Sequence, residues 1–306
     1  MGIEKITIVG MGALGVMYGN FLTAKLGKDR VSYIADKRRI DRFKKEGILC
    51  NGIPCDFSME DEADANVPAD LLIFAVKATG LADAIHTVRN KVNDHTIILS
   101  VLNGISSEEM IGKAYGEDKL VYCVVQGMDV VKEKNEVSYS HFGQICLGID
   151  EQTEQKNQNL QAVADLFRQI DMPYTLENDI LHRMWCKLML NVGVNQSVMI
   201  YEGTYGTIQR PGEARDLMLS AMREVMTVAQ KEHINITKKD FDDYVKLVDS
   251  LNPDGMPSMR QDGLAHRKSE VELFAGTIVA LAKKHGLHVP VNQEIYDTVI
   301  KMESLY

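Results

Sequence analysis

The chain has 306 residues, 45% of them hydrophobic and 25% charged, with a formal net charge of −9 at pH 7. That length suits two domains, because single cores stop growing at about 250–300 residues. The acidic balance argues against a nucleic-acid binder, and no run of about 18 uncharged apolar residues suggests a membrane span. The five cysteines, Cys50, Cys55, Cys123, Cys146 and Cys186, form no CxxC pair and read as free thiols of a reducing compartment. The first residues carry no signal-peptide pattern, so a cytoplasmic protein is expected.

In chain order, residues 5–9 are a β-branched run ending in glycine, and residues 12–26 read as a helix. A second strand is predicted over 31–35, and a helix over 39–46 that Gly47 ends. Asn51-Gly52 signals a hairpin turn. Apolar runs of strand length follow at 70–76, 96–102 and 120–125, with helical patterns at 81–92 and 106–114. Such runs alternating with helices indicate a parallel sheet covered on both faces. One or two more polar strands are expected within 139–149, then a helix reaching residue 170. Beyond about Asn178 the strand-like runs stop, and 179–197, 214–232, 238–251 and 258–285 all read as helices. The expected architecture is an α/β Rossmann-type N-terminal domain with a parallel sheet, residues 1–178, and an all-α C-terminal domain, 179–306. The 16 methionines read as core packing, although the face over 218–226 also fits a homodimer contact across a two-fold axis.

Gly10-Met11-Gly12-Ala13-Leu14-Gly15 matches GxGxxG in the context that gives the motif meaning, after a strand and opening a helix. Gly10 permits the tight turn, Gly12 lets backbone approach a pyrophosphate, and Gly15 lets the helix pack on the strand. The helix N-terminus then offers free N–H groups to phosphate. The end of the second strand chooses between nicotinamide cofactors. Asp36 stands there, followed by Lys37, Arg38, Arg39 and then Arg42. Three consecutive cations favour the 2′-phosphate of NADPH over NADH; the alternative is a solvated charged helix face.

Lys187, Asn191 and Asn195 are spaced i, i+4, i+8 in the segment that begins at Trp185. On a helix they form one row, set among Leu188, Met189, Leu190, Val192 and Val194. Polar heads on a buried helix need partners, since unpaired burial costs about 1–3 kcal/mol each. A polar substrate would supply them; so would a structural network of backbone carbonyls. Trp185 reads as a packing anchor. The eight histidines show no HxxxH or HxH arrangement, so no metal site is expected. Ser197 and Ser258 lack fitting His/Asp partners in sequence, which argues against a hydrolase.

Taken in order, the GMGALG turn, Phe74-Ala75-Val76-Lys77, Leu102-Asn103-Gly104, the WxKxxxNxxxN helix and Pro257-Ser258-Met259-Arg260-Gln261-Asp262 resemble the ketopantoate reductase family over residues 5–290. The resemblance implies a Rossmann-type domain joined to a helical one, with NADPH and a small 2-keto acid between them. It implies hydride transfer to ketopantoate, giving D-pantoate for pantothenate synthesis. Position by position, Lys187 matches the catalytic lysine and Glu270 the glutamate near the active site. Asn191, Asn195 and Ser258 match substrate-holding residues. Lys77 and Asn103 match cofactor-side residues. The simpler readings are an exposed strand-end lysine for Lys77 and a helix-surface pair with Arg267 for Glu270.

The chain departs from the family pattern at Glu272 and Ala275, where the family often carries Asp and Asn, and at Tyr205, where some members have Asn. Asp36 stands where an arginine is common. These departures keep a second reading open, an NAD-dependent D-2-hydroxyacid dehydrogenase acting on another branched keto acid. A non-catalytic dinucleotide sensor is a third; it would keep the glycines but would not need the Lys/Asn/Asn row.

Overall fold

The strand β1 (Ile6–Val9) is buried at all four positions and seeds the first unit of the fold. The computed structural model describes residues 2–306. The chain divides into two units, Met1–Leu102 with Ser107–Ile180, and Asn103–Ser106 with Leu181–Tyr306.

In the first unit α1 (Ala13–Leu26), β2 (Val31–Ala35) and α2 (Lys37–Glu46) follow β1. A small hairpin, β3 (Leu49–Cys50) and β4 (Ile53–Pro54), turns through Asn51 and Gly52, both at positive φ, as the Asn-Gly signal requires. Then come β5 (Ser58–Asp61), β6 (Leu71–Phe74), α3 (Leu81–Thr87), β7 (Ile97–Ser100) and α4 (Ser107–Tyr115). The strands β5-β2-β1-β6-β7 form one parallel sheet. Alternate residues feed two cores: Leu71, Ile73, Ile97 and Leu99 belong to one, Leu72, Phe74 and Ile98 to the other. A sheet buried on both faces explains the continuous apolar runs. β5 escapes that pattern as an edge strand half-exposed at every residue, whereas β7, at the other edge, is buried throughout.

The apolar run at 120–125 does not extend this sheet. Leu120 makes one isolated bridge to Ile98, and β8 (Tyr122–Gln126) pairs elsewhere. After β8 come β9 (Val131–Glu133), β10 (Glu136–Ser138), β11 (Gln144–Gly148), α5 (Glu154–Gln169) and β12 (Tyr174–Leu176). β8 runs antiparallel to β11 in a three-stranded sheet that β12 completes. No helix lies between β8 and β11, and a helical crossover is what a parallel pair normally needs.

The second unit is helical: α6 (Ile180–Ile200, its first residue in the other unit), α7 (Tyr205–Gln209), α8 (Glu213–Lys231), α9 (Lys238–Ser250), α10 (Ser258–Leu264), α11 (Ala275–Lys284) and α12 (Pro290–Glu303). The methionine face of α8 lies inside this unit. Met218 and Met222 are fully buried, and a Cβ on Gly193 of α6 would meet Met222 Cγ at 2.5 Å. That face is core packing rather than a surface for a second copy. The continuous helix expected over 258–285 is broken. Arg267 N donates to Asp262 O and His266 N to Gly263 O, with His266 at φ 51°, a Schellman termination. A 3-10 turn, Val271–Leu273, precedes α11. Among the described residues no helix is long and apolar enough to cross a membrane.

Candidate active site

The glycine turn of the first unit is built from backbone. Gly10 has φ 104°, and a Cβ there would sit 2.4 Å from the Ala75 carbonyl oxygen. A Cβ on Gly15 would meet Gly10 O at 2.2 Å, so both glycines are required by packing. Gly12 differs. Its Cβ would meet its nearest neighbour, Ala75 O, at an ordinary 3.7 Å. Packing within the chain therefore tolerates a side chain at Gly12, and the glycine is explained by an approach from outside. Gly12 is also the N-cap of α1 and makes no side-chain capping bond. The first N–H groups, from Ala13 and Leu14 onward, are left for a ligand. These features fit a dinucleotide pyrophosphate.

The cations after β2 are partly engaged. Asp36 is the N-cap of α2: its Oδ1 accepts from Arg39 N at 2.8 Å, and Oδ2 lies 3.4 Å from Arg39 Nε. Its carboxylate thus caps the helix and keeps further acceptor capacity. Lys37 pairs with Asp41 one turn on, and Arg38 is exposed. Lys77 is exposed beyond β6, at the N-cap of a short 3-10 turn.

Sequence reasoning missed Lys132 of β9. Its Nζ donates to the carbonyl of Met11, inside the glycine turn. It lies 5.8 Å from the Phe43 ring centroid, and the Arg42 guanidinium is 4.9 Å from the same ring. Burial pushes the Lys132 ammonium pKa down and Arg42 adds to the shift, while Glu46 opposes it. Two cations thus converge on one ring, one of them bonded to the turn. Lys132 stands 121 residues from Met11, and no local pattern announces it.

In the second unit the site is built from side chains. Lys187 is half-buried on α6, and its Nζ donates to Asn103 Oδ1 at 2.9 Å. Asn103 Nδ2 in turn donates to Glu270 Oε2 at 3.0 Å. Asn103, expected on the cofactor side, bridges the lysine and the glutamate. Arg267 pairs with Asp262 Oδ1 at 2.9 Å, and Glu270 sits at the N-cap of the 3-10 turn rather than on a helix face. Asn191 and Asn195 continue the α6 row. Each is 8% exposed, and among the described residues neither carboxamide has a hydrogen-bond partner in the chain. Arg183 stands one turn before Lys187 on the same stripe. Trp185 is buried at 6% exposure. Ser258 opens α10 with its side chain exposed.

The chain matches the model described as ketopantoate reductase PanE/ApbA over residues 6–152, and the model of its C-terminal part over 179–303. The chain belongs to the ketopantoate reductase family. It is an NAD(P)H-dependent oxidoreductase. Among curated relatives of the family, the 2-dehydropantoate 2-reductase of Aquifex aeolicus (strain VF5) is 27% identical over 99% of this chain and 98% of the relative. A solved D-mandelate dehydrogenase, in a ternary structure with NADH and anilino(oxo)acetate, superposes with TM-score 0.86 at 21% identity, covering 98% of this chain and 99% of that one. A dimeric ketopantoate reductase from Staphylococcus aureus superposes with TM-score 0.81 at 21% identity and the same coverage. At such identities these structures speak for the fold.

Proposed function

We propose that this protein reduces the 2-keto group of ketopantoate to D-pantoate with NADPH, the conversion that leads to pantothenate. The observation that carries the reading is the Lys187–Asn103–Glu270 chain of hydrogen bonds, on the same helix as two buried carboxamides that find no partner. Neither amide is among the polar groups sealed from solvent without a partner, so both heads face accessible space in which a small polar ligand can bond them. An N-terminal domain of residues 1–178 holds the cofactor. Gly10, Met11, Gly12, Ala13, Leu14 and Gly15 cradle the pyrophosphate, and Lys77 is a further contact. Lys37, Arg38, Arg42 and Lys132 supply charge for the 2′-phosphate. A helical domain of residues 179–306 holds the keto acid.

When bound, the reduced nicotinamide supplies a hydride. Carbon 2 of the keto acid receives it, and negative charge develops on the keto oxygen. Lys187 donates a hydrogen bond to that oxygen and then its proton, so the product leaves as the neutral alcohol. A positioned general acid of this kind typically contributes about 10²–10⁴-fold. Asn103 and Glu270 orient the ammonium, and the amine regains a proton from solvent. Asn191 and Asn195 hold the substrate's hydroxyl and keto oxygen, and Ser258 donates to its carboxylate.

Asp36, Tyr205, Glu272 and Ala275 support a second reading, a D-2-hydroxyacid dehydrogenase using NADH, as in the D-mandelate dehydrogenase complex. The test is steady-state turnover of ketopantoate and a panel of branched and aromatic 2-keto acids, with NADPH and NADH side by side. The proposal expects kcat/KM to be highest for ketopantoate with NADPH. A preference for another keto acid with NADH would replace it with the second reading. The dimeric Staphylococcus aureus relative supports a homodimer here, which light scattering would measure.

A further inference from the structure

Three potential metal ligands meet in the second unit, on the side of α6 next to the Lys187 row. His182 and Cys186 are one helical turn apart on α6, and Asp240 comes from the first turn of α9. His182 Nε2 lies 3.2 Å from Asp240 Oδ2 and 3.5 Å from Cys186 Sγ, whereas Nδ1 is 3.9 Å from the sulfur. One ligand atom from each residue lies within 4.8 Å of the others.

We propose that His182, Cys186 and Asp240 form a binding site for a divalent metal of the zinc type. Carboxylate and thiol both approach the same ring nitrogen. A single N–H cannot donate along both directions, and a histidine acting as a proton relay would divide its two nitrogens between its partners. A cation at the centre of the three satisfies all of them. The N–S edge also fits. Bond lengths of about 2.3 Å to sulfur and about 2.05 Å to nitrogen give a tetrahedral N–S edge of about 3.6 Å, near the 3.5 Å between Nε2 and the sulfur. Because Nδ1 is also 3.9 Å from that sulfur, the thiol lies toward the ring face, and the imidazole turns on binding to aim Nε2 at the ion. Borderline-soft thiolate and imidazole with one carboxylate favour zinc over magnesium or calcium.

The surroundings prepare the ligands. Asp240 is held by Thr237, the residue that caps α9. Thr237 N and Oγ1 donate to Oδ2 at 2.8 Å and 2.6 Å, a second shell that fixes the carboxylate and leaves Oδ1 as its other possible donor. Cys186 is buried at 2% exposure, while His182 and Asp240 are 31% and 25% exposed at their side chains, which leaves a route for the ion. On binding, the thiol gives its proton to solvent and the thiolate binds the metal; water takes the fourth position. The ion would pin the first turns of α6 to α9, with Cys186 directly preceding Lys187.

The test uses Co²⁺ as a spectroscopic probe for zinc on the full chain. The wild type is expected to bind about one equivalent and to show a thiolate-to-cobalt charge-transfer band in the near ultraviolet. Cys186→Ser should abolish the band, and Asp240→Asn should weaken uptake by at least about tenfold. Zinc should raise the Tm of the wild type and leave that of His182→Gln unchanged. His182→Gln alters a half-exposed side chain, so it remains informative should Cys186→Ser fail to fold. Absence of the band in the wild type would overturn the proposal, as would equal metal uptake by wild type and His182→Gln.

Discussion

The two units make their polar chemistry from different parts of the chain. In the first, the glycine turn works through backbone: Gly10 and Gly15 are fixed by clashes with carbonyl oxygens, and Gly12 leaves helix N–H groups open. In the second, three side chains far apart in sequence converge, Lys187 with Asn103 and Asn103 with Glu270, beside two buried amides. Backbone recognition requires a short motif and tolerates little change in it. Side-chain recognition requires that irregular segments be held in place, so changes there should affect chemistry before stability.

The largest effect that sharpens this contrast is Lys187→Ala. Its kcat should fall at least about a hundredfold, the size expected for loss of a general acid. Cofactor affinity, followed by fluorescence titration, should stay within about twofold. Near-normal turnover would remove Lys187 from the mechanism. In the first unit the two kinds of glycine should separate. Gly15→Ala forces a Cβ to 2.2 Å from a carbonyl oxygen and should cost about 1–3 kcal/mol in denaturant unfolding. Gly12→Ala should leave that stability unchanged and weaken cofactor binding about tenfold. Equal stability losses would mean that Gly12 serves packing alone.

Asn103→Ala should lower kcat by about tenfold and change KM for the cofactor less, because the residue acts through Lys187. A loss confined to cofactor KM would return Asn103 to the cofactor side. The smallest effect is on stability. Burial raises the Glu108 carboxyl to about 7 from an ordinary 4.5, opposed by its own backbone and by Ser107. The folded state therefore holds the proton more tightly than the unfolded chain, and stability is lost as pH rises from about 4.5 through 7. Glu108→Gln should be more stable than wild type at pH 8, by on the order of 1 kcal/mol after relaxation around the charge, with no advantage below pH ~4.5. A pH-independent difference would show that Glu108 titrates alike in the folded and the unfolded chain.

Much of the fold was legible because β1, β6 and β7 are buried on both faces and so are apolar throughout. β5 was hidden by its exposed edge position. Helix ends were blurred for another reason. Asp171, Glu202, His233 and His266 terminate helices at positive φ, where glycine is the readable signal. α12 was missed because its N-terminus is satisfied from afar: Glu224 of α8 accepts from Val291 N and Asn292 N at 2.9 Å and 2.8 Å. In the site, the glycine turn and the α6 row follow from local spacing. The Asn103–Glu270 contact spans 167 residues and the His182–Asp240 pair spans 58, so only folding reveals them.

The central claim is hydride transfer to the keto carbon of a 2-keto acid. The most direct measurement incubates the enzyme with ketopantoate and NADPH carrying deuterium at the transferable position of the nicotinamide, then locates the label by mass spectrometry and NMR. The account expects deuterium on carbon 2 of pantoate, formed in step with cofactor oxidation. Cofactor bound without oxidation, or oxidised with no label in the acid, would contradict it.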